Sequence, residues 1–252
     1  SDSYSIAYTY DAAGRLLRMT QSNARPGTEA TEYTYSGNGE LLSEQHSLKR
    51  TVYAYNGLGQ LRSRTLGTAS TEYAYTARGI RTGKAAVSRS GTISYTDFLL
   101  DGSDVIAEAT GNTVAVYLRG TNLICQKRGA ALSYYLFNAH GDVTALTGAG
   151  GAVTERYEYD AFGNTTVTPV SAVSAVSTAS AEPNASIPSL SKNPFRYCGE
   201  YWDSETGTYY LRARYYNPAL GRFTQQDAHW SPANRVYGDS PQRACEYQDH
   251  LG

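Results

Sequence analysis

Polar and apolar positions alternate over short runs of this chain, and the side chain at every second position is repeatedly an aromatic one. Tyr8-Thr9-Tyr10, Tyr33-Thr34-Tyr35, Tyr53-Ala54-Tyr55 and Tyr73-Ala74-Tyr75 carry the pattern through the first 85 residues. Tyr135-Leu136-Phe137 and Tyr157-Glu158-Tyr159 resume it later. Period-two alternation puts both rings of each phrase on one face of a strand. Asp11, Asn56, Asn138 or Asp160 follows the second ring directly, a residue type that bonds back to its own backbone and opens a turn. Four residues after the second ring stands Gly14, Gly39, Gly59, Gly79, Gly141 or Gly163, which supplies the positive φ of a tight hairpin. Leu16, Leu41 and Leu61 then begin return strands.

The predicted element is therefore a β-hairpin, and it repeats. Tyr10, Tyr35, Tyr55 and Tyr75 recur at intervals of 25, 20 and 20 residues. A hairpin with one aromatic face cannot bury that face alone, so the units must stack on their neighbours. The expected fold is all-β, a spiral of antiparallel hairpins whose sheet curls as strand twist accumulates. Composition agrees, with 23 Tyr and 24 Gly against five Phe, two Trp and one Met. The tyrosines are expected as core and stacking residues, with platforms for sugar rings as the functional alternative.

Between the clear repeats, residues 86–132 read as further strands with turns at Gly102 and Gly120. From Thr168 to Lys192 the chain holds Ser, Ala, Val, Pro and Thr without an aromatic residue, the composition of a surface loop or linker. The organisation that follows is a hairpin array over 1–166, a linker over 167–192 and a distinct segment over 193–252.

Charge narrows the function classes. With 22 basic and 23 acidic residues the net charge is −1, so no general attraction to nucleic acid or a membrane surface is expected. No apolar run is long enough to span a bilayer. Cys125, Cys198 and Cys245 lack metal-ligand spacing and are expected as buried thiols, with one disulfide and one thiol as the alternative. His46, His140, His229 and His250 fall in turns or tails without ligand spacing, so neither a metal nor a cofactor is expected. Gly148-Ala149-Gly150-Gly151 has no phosphate-loop ending and reads as a turn. Ser1 is not an initiator Met, so an upstream stretch, with any secretion signal, is expected to precede it.

The last segment has its own texture. Asn193-Pro194-Phe195-Arg196-Tyr197-Cys198-Gly199 leads to Asp203, Thr206-Gly207, Tyr209, Arg214-Tyr215-Tyr216, Pro218, Gly221-Arg222-Phe223 and Asp227. This order resembles the RHS repeat-associated core domain, and the upstream Tyr-rich repeats resemble the YD repeats of the same family. The resemblance implies a secreted or cell-surface shell of β-hairpins that encloses a C-terminal toxin region of the same polypeptide. With so few hairpins, the chain is expected to be an open fragment of such a shell, and its strand edges invite edge-to-edge self-association. Cell-surface glycans are a further candidate partner; nucleic acid is not.

The resemblance also implies self-cleavage of the aspartyl type, in which one carboxylate activates water and a second, kept protonated, polarises the carbonyl. Asp227 is the position carried over first, Asp239 is the candidate partner, and Arg222 the orienting group. Against this, Gly238-Asp239-Ser240-Pro241 is also an ordinary turn and Arg222 can pack its stem along a tyrosine. The chain closes on Gln248-Asp249-His250-Leu251-Gly252, where the resemblance calls for Asp-Pro-x-Gly. It is expected to stop short of its scissile bond and its toxin, and to be inactive as it stands. Three readings remain open from the sequence: scaffold with a latent self-cleavage element, glycan-binding module, and active autoprotease.

Overall fold

The computed structural model describes residues 5–22, 28–170 and 191–226. Sixteen strands, from β1 (Ser5–Tyr10) to β16 (Thr165–Pro169), form one antiparallel sheet in which every strand pairs with its neighbours in the chain. A second, four-stranded sheet is built wholly from the last segment: β17 (Tyr201–Asp203), β18 (Thr208–Leu211), β19 (Arg214–Asn217) and β20 (Arg222–Phe223). Among the described residues no helix is long and apolar enough to cross a membrane.

The hairpin of β5 (Lys49–Tyr55) and β6 (Leu61–Leu66) shows how the repeat works. Asn56 Oδ1 accepts hydrogen bonds from the backbone N–H groups of Leu58 and Gln60, both at 3.0 Å. Gly59 then turns the chain at φ +73°. Pairing slips by one residue between Ala54 and Tyr55, so that Tyr55 lies opposite Leu61. The same slip recurs at Thr9/Tyr10, Thr34/Tyr35, Ala74/Tyr75 and Leu136/Phe137. Such a bulge takes backbone groups out of the ladder and sharpens the local twist. In the second and fourth copies Ser36 and Thr76 replace the Asx residue, and their hydroxyls accept from Glu40 N at 3.2 Å and Ile80 N at 3.1 Å.

Burial follows the alternation. Tyr33, Tyr53, Tyr73, Tyr135 and Tyr157, the first ring of every phrase after the first, are buried, and so are Leu16, Leu41 and Leu61, whereas Tyr8 is 48% exposed. The intervening stretch continues the same ladder through β9 (Ile93–Asp101), β10 (Asp104–Thr110), β11 (Thr113–Arg119) and β12 (Leu123–Arg128). There Phe98, Val105, Ala115, Tyr117 and Leu123 take the buried positions. β16 continues three residues past the expected array limit, to Pro169; residues 171–190 of the expected linker lie outside the described residues.

The first and last strands do not pair with each other. In a flat sheet with strands about 4.8 Å apart they would stand on the order of 70 Å from one another. Yet Gly221 packs so tightly on Phe162, in the turn before β16, that a Cβ there would lie 2.8 Å from the ring. The next residue, Arg222, sets its guanidinium carbon 5.0 Å from the ring centre of Tyr10 in β1. Two adjacent residues thus touch the first and the eighth hairpin. The sheet coils about the last segment, which is where accumulated right-handed twist leads.

Candidate functional site

The chemistry of the molecule concentrates where the last segment meets the Tyr-lined face of the sheet. Backbone groups released by the bulges must find partners once buried. The segment supplies them. Leu41 N donates to Thr224 O at 2.9 Å and Val143 N to Arg196 O at 3.1 Å, while Arg81 N donates to the Tyr210 hydroxyl at 2.8 Å. Gln225 Nε2 donates to Gly59 O at 2.7 Å, so residues just ahead of Asp227 are fixed to the third hairpin turn.

Arg81 departs from the repeat. It begins its return strand, β8 (Arg81–Val87), at the place where three other copies carry a buried leucine. Its guanidinium is 1% exposed and Nη1 bonds Asp203 Oδ2, on a carboxylate that is fully buried. Lys84 Nζ reaches Asp203 Oδ1 at 2.9 Å and the two Glu205 oxygens at 2.8 and 2.9 Å. Two cations and two anions therefore close a neutral network across the seam. Arg81 Nε and Nη2 have no hydrogen-bond acceptor among the described residues. The guanidinium instead lies among rings, 4.2 Å from the centre of Tyr210 and 5.1 Å from those of Phe98 and Tyr201. Aromatic faces offer electrostatic attraction to a desolvated cation in place of acceptors.

The network sets its own protonation states. Burial alone would raise the pKa of Asp203, but Arg81 and Lys84 hold it below the usual carboxylate value. Burial opposes the charge on Lys84, and Asp203 with Glu205 overcome that and raise its pKa. The phenols around the seam are driven up by burial, Tyr35 and Tyr209 to about 12, so they stay protonated donors at neutral pH.

Two further anchors are polar and buried. The Tyr201 hydroxyl donates to Glu108 Oε2 at 2.6 Å, and Arg128 Nη2 holds the other oxygen of Glu108 at 2.6 Å. Asn193, 2% exposed, accepts from the Tyr135 hydroxyl at 2.8 Å and donates to Tyr157 Oη at 3.2 Å. This asparagine enters the sheet between two repeat tyrosines, and its side chain also donates to Phe195 O and accepts from Phe195 N.

Of the residues singled out from the sequence, Asp227 and Asp239 lie outside the described residues, as do His229, His250 and Cys245. Arg222 is described; it sits in β20 opposite Asn217 and covers the Tyr10 ring. Cys125 is buried as expected, whereas Cys198 is only partly so, because it stands on a 3-10 turn, Tyr197–Gly199, at the rim of the seam. His140 and Asp142 flank Gly141 in sequence, and the fold brings Cys198 beside them. Spacing along the chain could not show that contact, since the thiol comes from the other side of the seam. Arg81 did carry a signal: a charged residue in the leucine position of a repeat otherwise conforming to pattern marks a place where something other than the next hairpin must dock.

The comparisons with known proteins agree with this architecture. The family model described as RHS Repeat matches residues 137–170. Over 94 residues the chain is 39% identical to the tRNA3(Ser)-specific nuclease WapA of Bacillus spizizenii, covering 37% of this chain and 3% of that protein. It is 33% identical over 106 residues to the uncharacterized protein YlbH of Escherichia coli K12, covering 38% of each. Among solved structures, the TcdB2-TccC3-Cdc42 crystal structure superposes with a TM-score of 0.58 at 18% identity, over 89% of this chain and 12% of that one. The Tc holotoxin pore of Photorhabdus luminescens gives 0.57 at 17% identity, over 90% and 12%. The chain thus spans a small part of the length of these relatives. Tyr-x-Tyr hairpins in one coiled sheet, a signature segment seated on its aromatic face and these likenesses together make the chain similar to RHS/YD-repeat toxin proteins.

Proposed function

We propose that this chain is part of the wall of a secreted or surface-exposed toxin shell, which encloses a C-terminal toxin region of the same polypeptide and carries a latent self-cleavage element. One observation carries the proposal: the signature segment is built into the sheet as its aromatic filling, with its end pinned at Gln225 to Gly59 O. A segment held so firmly gives any following residue a defined starting point. That suits the aspartyl role proposed for Asp227, with Asp239 as its partner and Arg222 as the orienting group. Two carboxylates brought close cannot both ionise, which separates the acid from the base. The relatives named as tRNA nucleases support a toxin cargo.

The test is intact mass of the chain extended by its native downstream residues, beside an Asp227→Asn version. Cleavage of the first and not of the second is the expected result. If both remain whole, the segment is filling alone. The next reading is then glycan binding, which the half-exposed stacked pair Tyr8 and Tyr10, with ring centres 6.5 Å apart, would serve.

A further inference from the structure

The turn between β13 (Ala131–Phe137) and β14 (Val143–Gly148), in the seventh hairpin, is unlike its counterparts. The residues on either side of the turn glycine are Ala13 and Arg15, Asn38 and Glu40, Leu58 and Gln60, Arg78 and Ile80, and Phe162 and Asn164 in other copies. Here they are His140 and Asp142. Asn138 holds the turn, accepting from His140 N at 3.0 Å and Asp142 N at 2.9 Å, and its Nδ2 donates to Asp142 Oδ2 at 2.8 Å. The Asp142 carboxylate is thereby fixed and buried. Its Oδ1 lies 3.0 Å from His140 Nδ1 and accepts from Cys198 N at 2.8 Å. Cys198 adopts a left-handed φ of +52° and places Sγ 3.9 Å from His140 Nδ1. One ligand atom from each of the three residues falls within 4.8 Å of the others.

We propose that His140, Asp142 and Cys198 bind one divalent ion of the zinc type, which ties the signature segment to the seventh hairpin. The donor set is imidazole nitrogen, carboxylate oxygen and thiolate sulfur, which suits zinc; calcium and magnesium take oxygen ligands. Tetrahedral bonds of about 2.0–2.3 Å set ligand atoms roughly 3.3–3.6 Å apart, close to the 3.0 and 3.9 Å separations already present. Asn138 fixes the carboxylate from outside, and the Tyr197 ring lies 5.4 Å from the His140 ring. His140 is exposed and Cys198 partly so, which leaves the remaining coordination position to water.

The 252-residue chain titrated with Co2+ is expected to take up one equivalent with a thiolate-to-cobalt charge-transfer absorption, discharged by one equivalent of Zn2+. Cys198→Ser abolishes that band, and a Cys125→Ser/Cys245→Ser double variant keeps it. His140→Ala alters an exposed turn side chain and so retains the fold; it weakens zinc binding more than the roughly 10–100-fold typical of losing an outer support such as Asn138. Absence of the band in the unaltered chain, its survival in Cys198→Ser, or unchanged zinc affinity in His140→Ala would each overturn the proposal.

Discussion

The large sheet and the small one are stabilised by opposite means. In the sixteen-stranded array, polar side chains at the turns bond over two to four residues, as Asn56 does to Leu58 and Gln60. What is lost in one hairpin is repeated in the next, which is how repeat proteins spread their stability. The four-stranded sheet has no such redundancy. Its strands are two to four residues long, too short to persist alone. Its bonds to the array join residues far apart in the chain, from 44 positions at Thr165–Tyr209 through 93 at Tyr201–Glu108 to 119 at Lys84–Asp203 and 122 at Arg81–Asp203. A repeat can specify its own hairpin, but only unique, long-range and directional contacts can specify where a non-repeating segment docks. Buried ion pairs and Tyr–carboxylate bonds meet that need, because any misplacement strands a charge.

The comparison is broken most severely at Asp203. Asp203→Ala leaves Arg81 and Lys84 without their shared carboxylate, at a cost of about 3–5 kcal/mol, and is expected to release the signature segment. Limited proteolysis should then cut within 191–226 while the array survives. Adding Arg81→Leu, which restores the leucine of the other repeats, should recover much of that loss in a double-mutant cycle. Acid does the same without mutation. The pKa of Asp203 is lowered in the fold, so its contribution is complete above the unfolded value of about 3.9 and is lost as pH falls through the lower, folded one. Lys84, raised, loses its contribution as the medium becomes strongly alkaline. Proteolysis of the segment measured against pH should therefore show a plateau that fails at both extremes.

A smaller effect is expected from Tyr201→Phe, which removes the donor to Glu108 and leaves a buried carboxylate oxygen short of a partner, about 1.5–3 kcal/mol. Urea unfolding followed by protease protection would read it. Asn56→Ala tests the other side of the comparison. It deletes a local turn bond worth about 0.5–1.5 kcal/mol and should lower the urea midpoint slightly without exposing the signature segment.

The hairpins were legible in the sequence because their signal is local. Tyr-x-Tyr, the Asx residue and Gly59 each act within a few positions, and period-two alternation put both rings of a phrase on one face, though not how deeply each is buried: Tyr8 and Tyr10 stay half-exposed. Even the stretch from Ile93 to Arg128, which lacks the phrase, joined the ladder through alternation alone. The coil was foreseeable from twist, but not what fills it. The pairing of Arg81 with Asp203 joins residues 122 positions apart, and nothing along the chain relates them except the missing leucine. The convergence of His140 and Cys198 is of the same kind: a test of spacing along the chain finds ligands held by one element and misses those held by two.

The contact of Gly221 with Phe162 and of Arg222 with Tyr10 makes the signature segment a gauge of circumference. Two neighbouring residues can touch the first and eighth hairpins only when the correct number of hairpins lies between them. Deleting one hairpin shifts everything beyond it by two strand spacings, about 10 Å, farther than a side chain can stretch to compensate. Insertions and losses of repeats are therefore not neutral in this array.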